Sequence, residues 1–197
     1  MTHWDTISGE TPIDPSGLKV SGITNRKELN ELEFREIQKV TVKYLAAPPS
    51  RRIAPFDLDW LERLHGEMFG AIWDWAGRCR TIDLNLGVPW QHCEPSLQSM
   101  VDDLAVWQAN AMELLERAVR LHHRAVSIHP FHNGNGRWAR MLANIYLMQN
   151  DHPIVSWPIQ TIGDESAVRA EYIRCLNTAD EGDISTLLDL HRRMLWE

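Results

Sequence analysis

Between Pro95 and Pro130 the chain contains neither glycine nor proline. These are the strongest interruptions of helical backbone, the first through conformational freedom and the second through its missing N–H. A stretch of this length without either reads as one long helix or two in succession, and it commits the chain to a helical fold. The flanking sequence agrees. Residues 25–46, NRKELNELEFREIQKVTVKYLA, space Leu29, Leu32, Ile37, Val40 and Tyr44 at roughly helical intervals. APPSRRIAP interrupts them. Asp57 then stands as an N-cap before an apolar stripe of Leu58, Leu61, Leu64, Met68, Ile72 and Trp75, which Gly77 closes. Further helices are expected over 137–149, 164–177 and 184–196, the last two joined by TADEGD.

One segment departs from the helical period. In RTIDLNLGVPWQHC, Ile82, Leu84 and Leu86 alternate with Thr81, Asp83 and Asn85, and Gly87 follows. Period-two alternation ending at glycine reads as a strand entering a hairpin or flap. A lone hairpin must pack on something. It is either a structural cover or an edge that a partner chain can join as an extra strand. Residues 1–23 carry Gly, Pro and Ser at short intervals and read as an extended arm, with residues 24–197 as a single domain.

Charge and cysteine content exclude several classes of function. The formal net charge is −7, so no global basic field draws in nucleic acid or an anionic membrane. The three cysteines, Cys79, Cys93 and Cys175, are odd in number and lack metal spacing, which fits free thiols in a reducing compartment. The sequence opens without a basic leader, and no run of 18 apolar residues occurs. The expectation is a cytoplasmic protein with no membrane segment and no direct nucleic-acid contact. Nine tryptophans are explained by packing.

Against this acidic background, residues 128–140 read IHPFHNGNGRWAR, with two arginines and no carboxylate. Pro130 disfavours helical geometry at His129 and ends the preceding helix there. Gly134, Asn135 and Gly136 form a loop in which backbone can approach a ligand closely. A helix then starts near Arg137, and its unpaired N–H groups and positive dipole end suit phosphate. Arg137, Arg140 and Asn144 share one face of it, while Trp138, Met141, Leu142 and Ile145 take the other. Guanidinium groups grip phosphate oxygens in pairs, so a polyphosphate site is expected. His129, just ahead of the loop, can take a proton from a hydroxyl near neutral pH. His122, His123, His152 and His191 have no such neighbour and read as inert; no zinc spacing links His122 and His123 to His129.

HPFHNGNGR followed by WAR resembles the signature of the Fic family, His-Pro-Phe-x-Asp/Glu-Gly-Asn-Gly-Arg-x-x-Arg. LHGEMFGAIWDWAGRCRTIDLNLGV is similar to that family's helix and flap, and TPIDPSGLKVSGITNRKELNELE resembles the branch called mobile mystery protein B. The resemblance implies an all-α fold with a small β-hairpin flap: an N-terminal helix over 24–46 and a Fic core over 57–197. It implies transfer of AMP from ATP to a protein hydroxyl, with His129 as general base and Phe131 packed under the loop. Phe131, Asn133, Gly134, Asn135, Gly136, Arg137 and Arg140 would form the nucleotide site. In it the Gly134–Gly136 loop holds the α- and β-phosphates, Arg137 the β-phosphate and Arg140 the γ-phosphate. Gly136 stands where the Doc-like kinases typically have lysine. A target protein would dock on the flap at Arg80, Thr81, Ile82, Leu84, Leu86 and Gly87.

Two positions depart from the pattern. Asn133 replaces the Asp or Glu that holds Mg²⁺ in most active members, and an amide offers the ion no negative charge. Three readings follow: a weaker Mg²⁺ site at Asn133, a catalytically weak nucleotide-binding regulatory module, or altered chemistry. The family's inhibitory helix carries Ser/Thr-x-x-x-Glu-Gly/Asn; here Thr24 and Glu28 match but Leu29 does not. Asn25 and Glu28 equally have the spacing of a capping box, which is the favoured reading.

Overall fold

Asn25 and Asp57 each turn a side-chain oxygen onto the backbone N–H three residues on, and the first two helices begin there. In the computed structural model, which describes residues 13–157 and 167–196, these are α1 (Arg26–Leu45) and α2 (Leu58–Phe69). They are followed by α3 (Cys93–Ala109), α4 (Leu114–Ile128), α5 (Asn135–Gln149), α6 (Ala167–Asp180) and α7 (Ser185–Arg193). The stretch without glycine or proline is therefore two helices. The break falls at Ala111, which adopts φ +53° while Asn110, Ala111 and Met112 donate back to the carbonyls of Val106, Gln108 and Trp107. An alanine in left-handed geometry leaves no mark in sequence.

Four boundaries differ from expectation. α7 ends at Arg193, short of Trp196. α2 ends at Phe69 and not at Gly77, because residues 13–19 take over the next carbonyls. Lys19 donates through Nζ to Gly70 and through its backbone N–H to Ile72, and Asp74 N–H donates to Gly17. That exchange forms an antiparallel bridge between Leu18 and Trp73. α5 starts at Asn135, two residues before Arg137, since Gly134 at φ +78° serves as its N-cap. α6 continues through Asn177 to Asp180; residues 164–166, where a start was expected, lie outside the described residues, as do residues 1–12 of the arm.

The alternating segment around Ile82 to Leu86 forms no strand among the described residues. Its apolar side chains do not fill the core: Ile82 is 53% exposed and Leu86 is also exposed. The flap is instead an irregular excursion whose two ends are tied to one place. Arg80 N–H donates to Pro130 at 2.8 Å and Val88 N–H donates to Ile128 at 3.3 Å.

α5 occupies the centre. From Trp138 to Leu147 every residue is buried, the mark of a core helix apolar on nearly all sides. α4 packs along it, α1 and α2 cover another flank, and α6 and α7 pair with each other beside α4. One apolar cluster runs from Leu29 through to Leu190. Among the described residues no helix is long and apolar enough to cross a membrane. α5 meets the surface at its two ends, and its N-terminal end lies where the α4–α5 loop meets the flap.

Candidate functional site

The loop is shaped by its own side chains. Asn135 is buried, accepts from Phe131 N–H at 2.9 Å and donates to Phe131 carbonyl at 2.8 Å, closing a ring of backbone. Asn133 Oδ1 accepts from Gly134 N–H at 2.6 Å. Beneath them the fully buried Phe131 ring stacks on His65 at 3.7 Å and meets Trp138 edge-on at 5.0 Å. His65 bridges two backbones, its Nδ1 accepting from Gly77 N–H and its Nε2 donating to Asn133 carbonyl, each at 3.0 Å. Those partners fix its tautomer. Burial, with Arg137 as a smaller cause, holds its pKa down to about 3, so it stays neutral. Gly134 has no substitute: an added Cβ would lie 2.6 Å from the Phe69 ring, in a conformation that already favours glycine.

His129 caps α4 in left-handed geometry, φ +52° and ψ +57°. For a non-glycine residue this is strained by about 1–3 kcal/mol and persists only where surroundings impose it. Arg80 imposes it. Its guanidinium is 1% exposed and donates to the carbonyls of His129 (2.8 Å), Ile82 (2.8 Å) and Val88, while its own N–H holds Pro130. Gly87 makes the closest approach, where a Cβ would fall 2.5 Å from His129 Cβ. Burial, then the Arg80 charge, lowers the His129 pKa to about 4. The imidazole is therefore neutral near pH 7, with a ring nitrogen able to accept a proton.

Beside this loop lies a cavity of about 390 Å³. The Gly134–Gly136 backbone and Arg137 and Arg140 form one wall, and the flap at Leu86–Val88 forms another. The α6 face of Arg169, Tyr172, Ile173, Leu176, Asn177 and Asp180 faces them, and Arg26 and Asn30 reach in from α1. The two motif arginines differ. Arg137 pairs with the buried Glu33, which also accepts from Trp73 Nε1 at 2.7 Å. Arg140 is only 9% exposed, and among the described residues no carboxylate pairs with it; its guanidinium packs over the rings of Trp157 and Tyr172.

A signature loop, a neutral histidine at its entrance and a buried cation at a helix start define a family resemblance that sequence comparison decides. Residues 55–147 match the model of the Fic/DOC family. The chain carries a Fic/DOC domain.

It is similar to protein adenylyltransferase fic-1 of Caenorhabditis briggsae, 37% identical over 113 residues that cover 55% of this chain and 21% of that protein. The corresponding Caenorhabditis elegans protein is 35% identical over the same length. The chain thus spans about a fifth of the length of the curated relatives it matches. Among solved structures, C. elegans Fic-1 superposes with a TM-score of 0.58 at 31% identity, covering 70% of this chain and 40% of that one. BepC of Bartonella tribocorum, solved with bound AMPPNP, shares the fold at 18% identity, with a TM-score of 0.67 over 96% of this chain and 95% of its own.

Within the Fic/DOC domain the structure gathers His129, Asn133, Gly134, Asn135, Gly136, Arg137 and Arg140 around one cavity. Phe131, expected both to pack under the loop and to belong to the nucleotide site, is fully buried beneath the loop and does not line the cavity. Arg80 is corrected from target docking to structure, since its guanidinium is inside and holds loop and flap together. Asn144 shares a helix face with the arginines but braces the Val155 backbone, donating to its carbonyl and accepting from its N–H. Glu28 completes the cap of α1, its carboxylate accepting from Thr24 N–H and Oγ1, and it does not line the cavity.

Sequence reasoning missed His65, Glu33, Tyr172 and Trp157. Tyr172 left a trace, because Arg169, Tyr172, Ile173, Leu176 and Asn177 fall on one helical face. The other three act through contacts distant in sequence.

Proposed function

We propose that this Fic/DOC domain transfers AMP from ATP to a hydroxyl side chain of a target protein. Arg140 carries the reading. A guanidinium nine-tenths buried, with no carboxylate partner among the described residues, stands in a cavity whose floor is the start of α5. Such a cation is costly unless an anion meets it. The relatives named protein adenylyltransferase and the AMPPNP-bound BepC support a nucleotide as that anion.

In this reading the backbone N–H groups of Gly134–Gly136 and the positive end of α5 receive the phosphates, and Arg140 orients the distal one. Arg137 contributes once the phosphates share it with Glu33. The target hydroxyl attacks the α-phosphorus while His129 takes its proton; the bond to the bridging oxygen breaks and pyrophosphate leaves. An imidazole at about 4 is a weak base, and a bound polyanion raises it towards neutrality. Ile82 and Leu86, exposed on the flap, form the apolar edge against which the target segment lies. Mg²⁺ would enter on the nucleotide's phosphates. Asn133 is the motif's one side chain offered to it, a neutral oxygen that already accepts from Gly134, so the site suits a resident ion poorly.

ATP labelled on the α-phosphate and ATP labelled on the γ-phosphate, each offered with a bacterial lysate as acceptor, test the reaction. Only the α-label should reach protein, and His129→Ala should lower labelling by about 10²–10⁴-fold while calorimetry still detects ATP binding. Incorporation of the γ-label, or full labelling by His129→Ala, overturns the assignment.

A further inference from the structure

His122 and His191 lie together behind Arg140, both fully buried. The hydrogen bonds around them have one possible direction. Leu187 carbonyl can only accept, so His191 Nδ1 carries the proton it donates there at 2.8 Å. Burial, with Arg140 adding to it, keeps His191 at about 4 and His122 well below the usual imidazole value, so both rings are neutral. His191 Nε2 therefore accepts from His122 Nδ1–H at 2.8 Å. His122 Nε2 in turn accepts from the Tyr172 hydroxyl at 2.9 Å.

That chain fixes the rings under Arg140. Tyr172 stacks on His122 at 18° with centroids 5.6 Å apart, and Trp157 stands edge-on to Tyr172, His122 and His191. The Arg140 guanidinium lies 5.6 Å from the Trp157 centroid and 5.7 Å from that of Tyr172. Aromatic faces hold a guanidinium without cancelling its charge, which a carboxylate would do.

We propose that His122, His191 and Tyr172 are positioning residues for Arg140: a one-way hydrogen-bond relay that locks the Tyr172 face beneath the guanidinium, with Trp157 packed edge-on beside it, and aims its charge at a bound phosphate. The proposal rests on the nucleotide reading of the cavity. It assigns a role to histidines that touch neither the loop nor the reacting atoms.

Titration of the full chain with ATP, in a double-mutant cycle, tests it. His122→Phe keeps the ring volume and removes both hydrogen bonds. It should weaken ATP affinity about tenfold and leave the rate at saturating ATP within about twofold. His122→Gln can donate to His191 and accept from Tyr172, and should stay within about threefold of the native protein. In an Arg140→Lys background, where the cation cannot lie flat on the rings, His122→Phe should change affinity by less than about twofold. Equal losses in both backgrounds, or native affinity in His122→Phe, overturn the relay. Should His122→Phe fail to fold, Tyr172→Phe, which removes one hydroxyl, replaces it, with the same expected loss of ATP affinity and the same attenuation in the Arg140→Lys background. A native chain that binds no ATP overturns the nucleotide reading itself, and the relay's purpose with it.

Discussion

Two short segments line the cavity, and they are held in opposite ways. The loop from His129 to Gly136 is cross-linked within itself. Asn135 ties both polar groups of Phe131, Asn133 ties Gly134, and His65 reaches up from α2 to the Asn133 carbonyl. The flap from Thr81 to Gly87 is held mainly near its ends, by Arg80 and by Asp83, which accepts from Trp90 N–H at 2.8 Å. It leaves Ile82 and Leu86 exposed. The difference matches the two tasks that the proposed function gives these segments. Chemistry on a phosphate tolerates little misplacement, so its loop is over-determined. Recognition of a partner segment needs a surface that can adjust.

Arg80 is where the two meet, and breaking it should have the largest effect. Arg80→Met keeps the length of the side chain but leaves three carbonyls, those of His129, Ile82 and Val88, without the guanidinium they now accept from. A loss of about 3–5 kcal/mol in urea unfolding is expected, with weaker ATP binding as His129 loses its left-handed hold. A loss below about 1 kcal/mol would show that loop and flap are fixed independently.

Acid should next separate the segments. His65 is held near 3, and His129 and His191 near 4, all by burial first. The unfolded chain takes up protons near pH 6.5 that the folded chain refuses. Stability from these groups is therefore complete above about 6.5 and falls as pH drops towards 4, at up to about 1.4 kcal/mol per pH unit for each imidazole. Urea titrations across this window measure the slope, and His65→Gln should reduce it by about one imidazole's share. An unchanged slope would mean that His65 is not held neutral by the loop. The flap from Thr81 to Gly87 contains no histidine, so its amide exchange should respond to acid only through the loop.

How far the sequence revealed this contrast follows from where each constraint lies. The loop was legible because its constraints are local: Pro130 behind His129, and glycines around Asn135, act within a few residues. The helices were legible from periodicity, with Asn25 and Asp57 marking two starts. The flap misled, since Ile82, Leu84 and Leu86 have strand spacing without a neighbouring strand to pair with. Arg80 looked like a surface residue because nothing nearby in sequence announces the carbonyls of His129 and Val88 that bury it. The pairing of Glu33 with Arg137 joins residues from the first helix and the fifth, and single-sequence patterns hold no record of such contacts.

Ile82 offers a sharper version of the comparison. Its side chain is exposed and outside the cavity, and only its backbone carbonyl is held, by Arg80. Ile82→Ser should lower labelling of an acceptor protein about tenfold while ATP affinity moves less than twofold, if the flap serves recognition alone. Equal losses of labelling and ATP affinity would place the flap within the nucleotide site.

Asn133 should give the smallest change and bears on the loop's one chemical departure. Its Oδ1 already accepts from Gly134 N–H, so Asn133→Asp retains that bond while adding a negative charge at the motif's metal position. Mg²⁺ held chiefly by phosphate oxygens gains a charged ligand without any change in loop shape. AMP transfer at limiting Mg²⁺ should rise about threefold and converge with the native rate at saturation. A gain that persists at saturating Mg²⁺ would mean that the amide restrains the chemical step itself. No gain at any concentration would mean that the phosphates alone satisfy the ion, and that a neutral residue at this position costs the domain nothing.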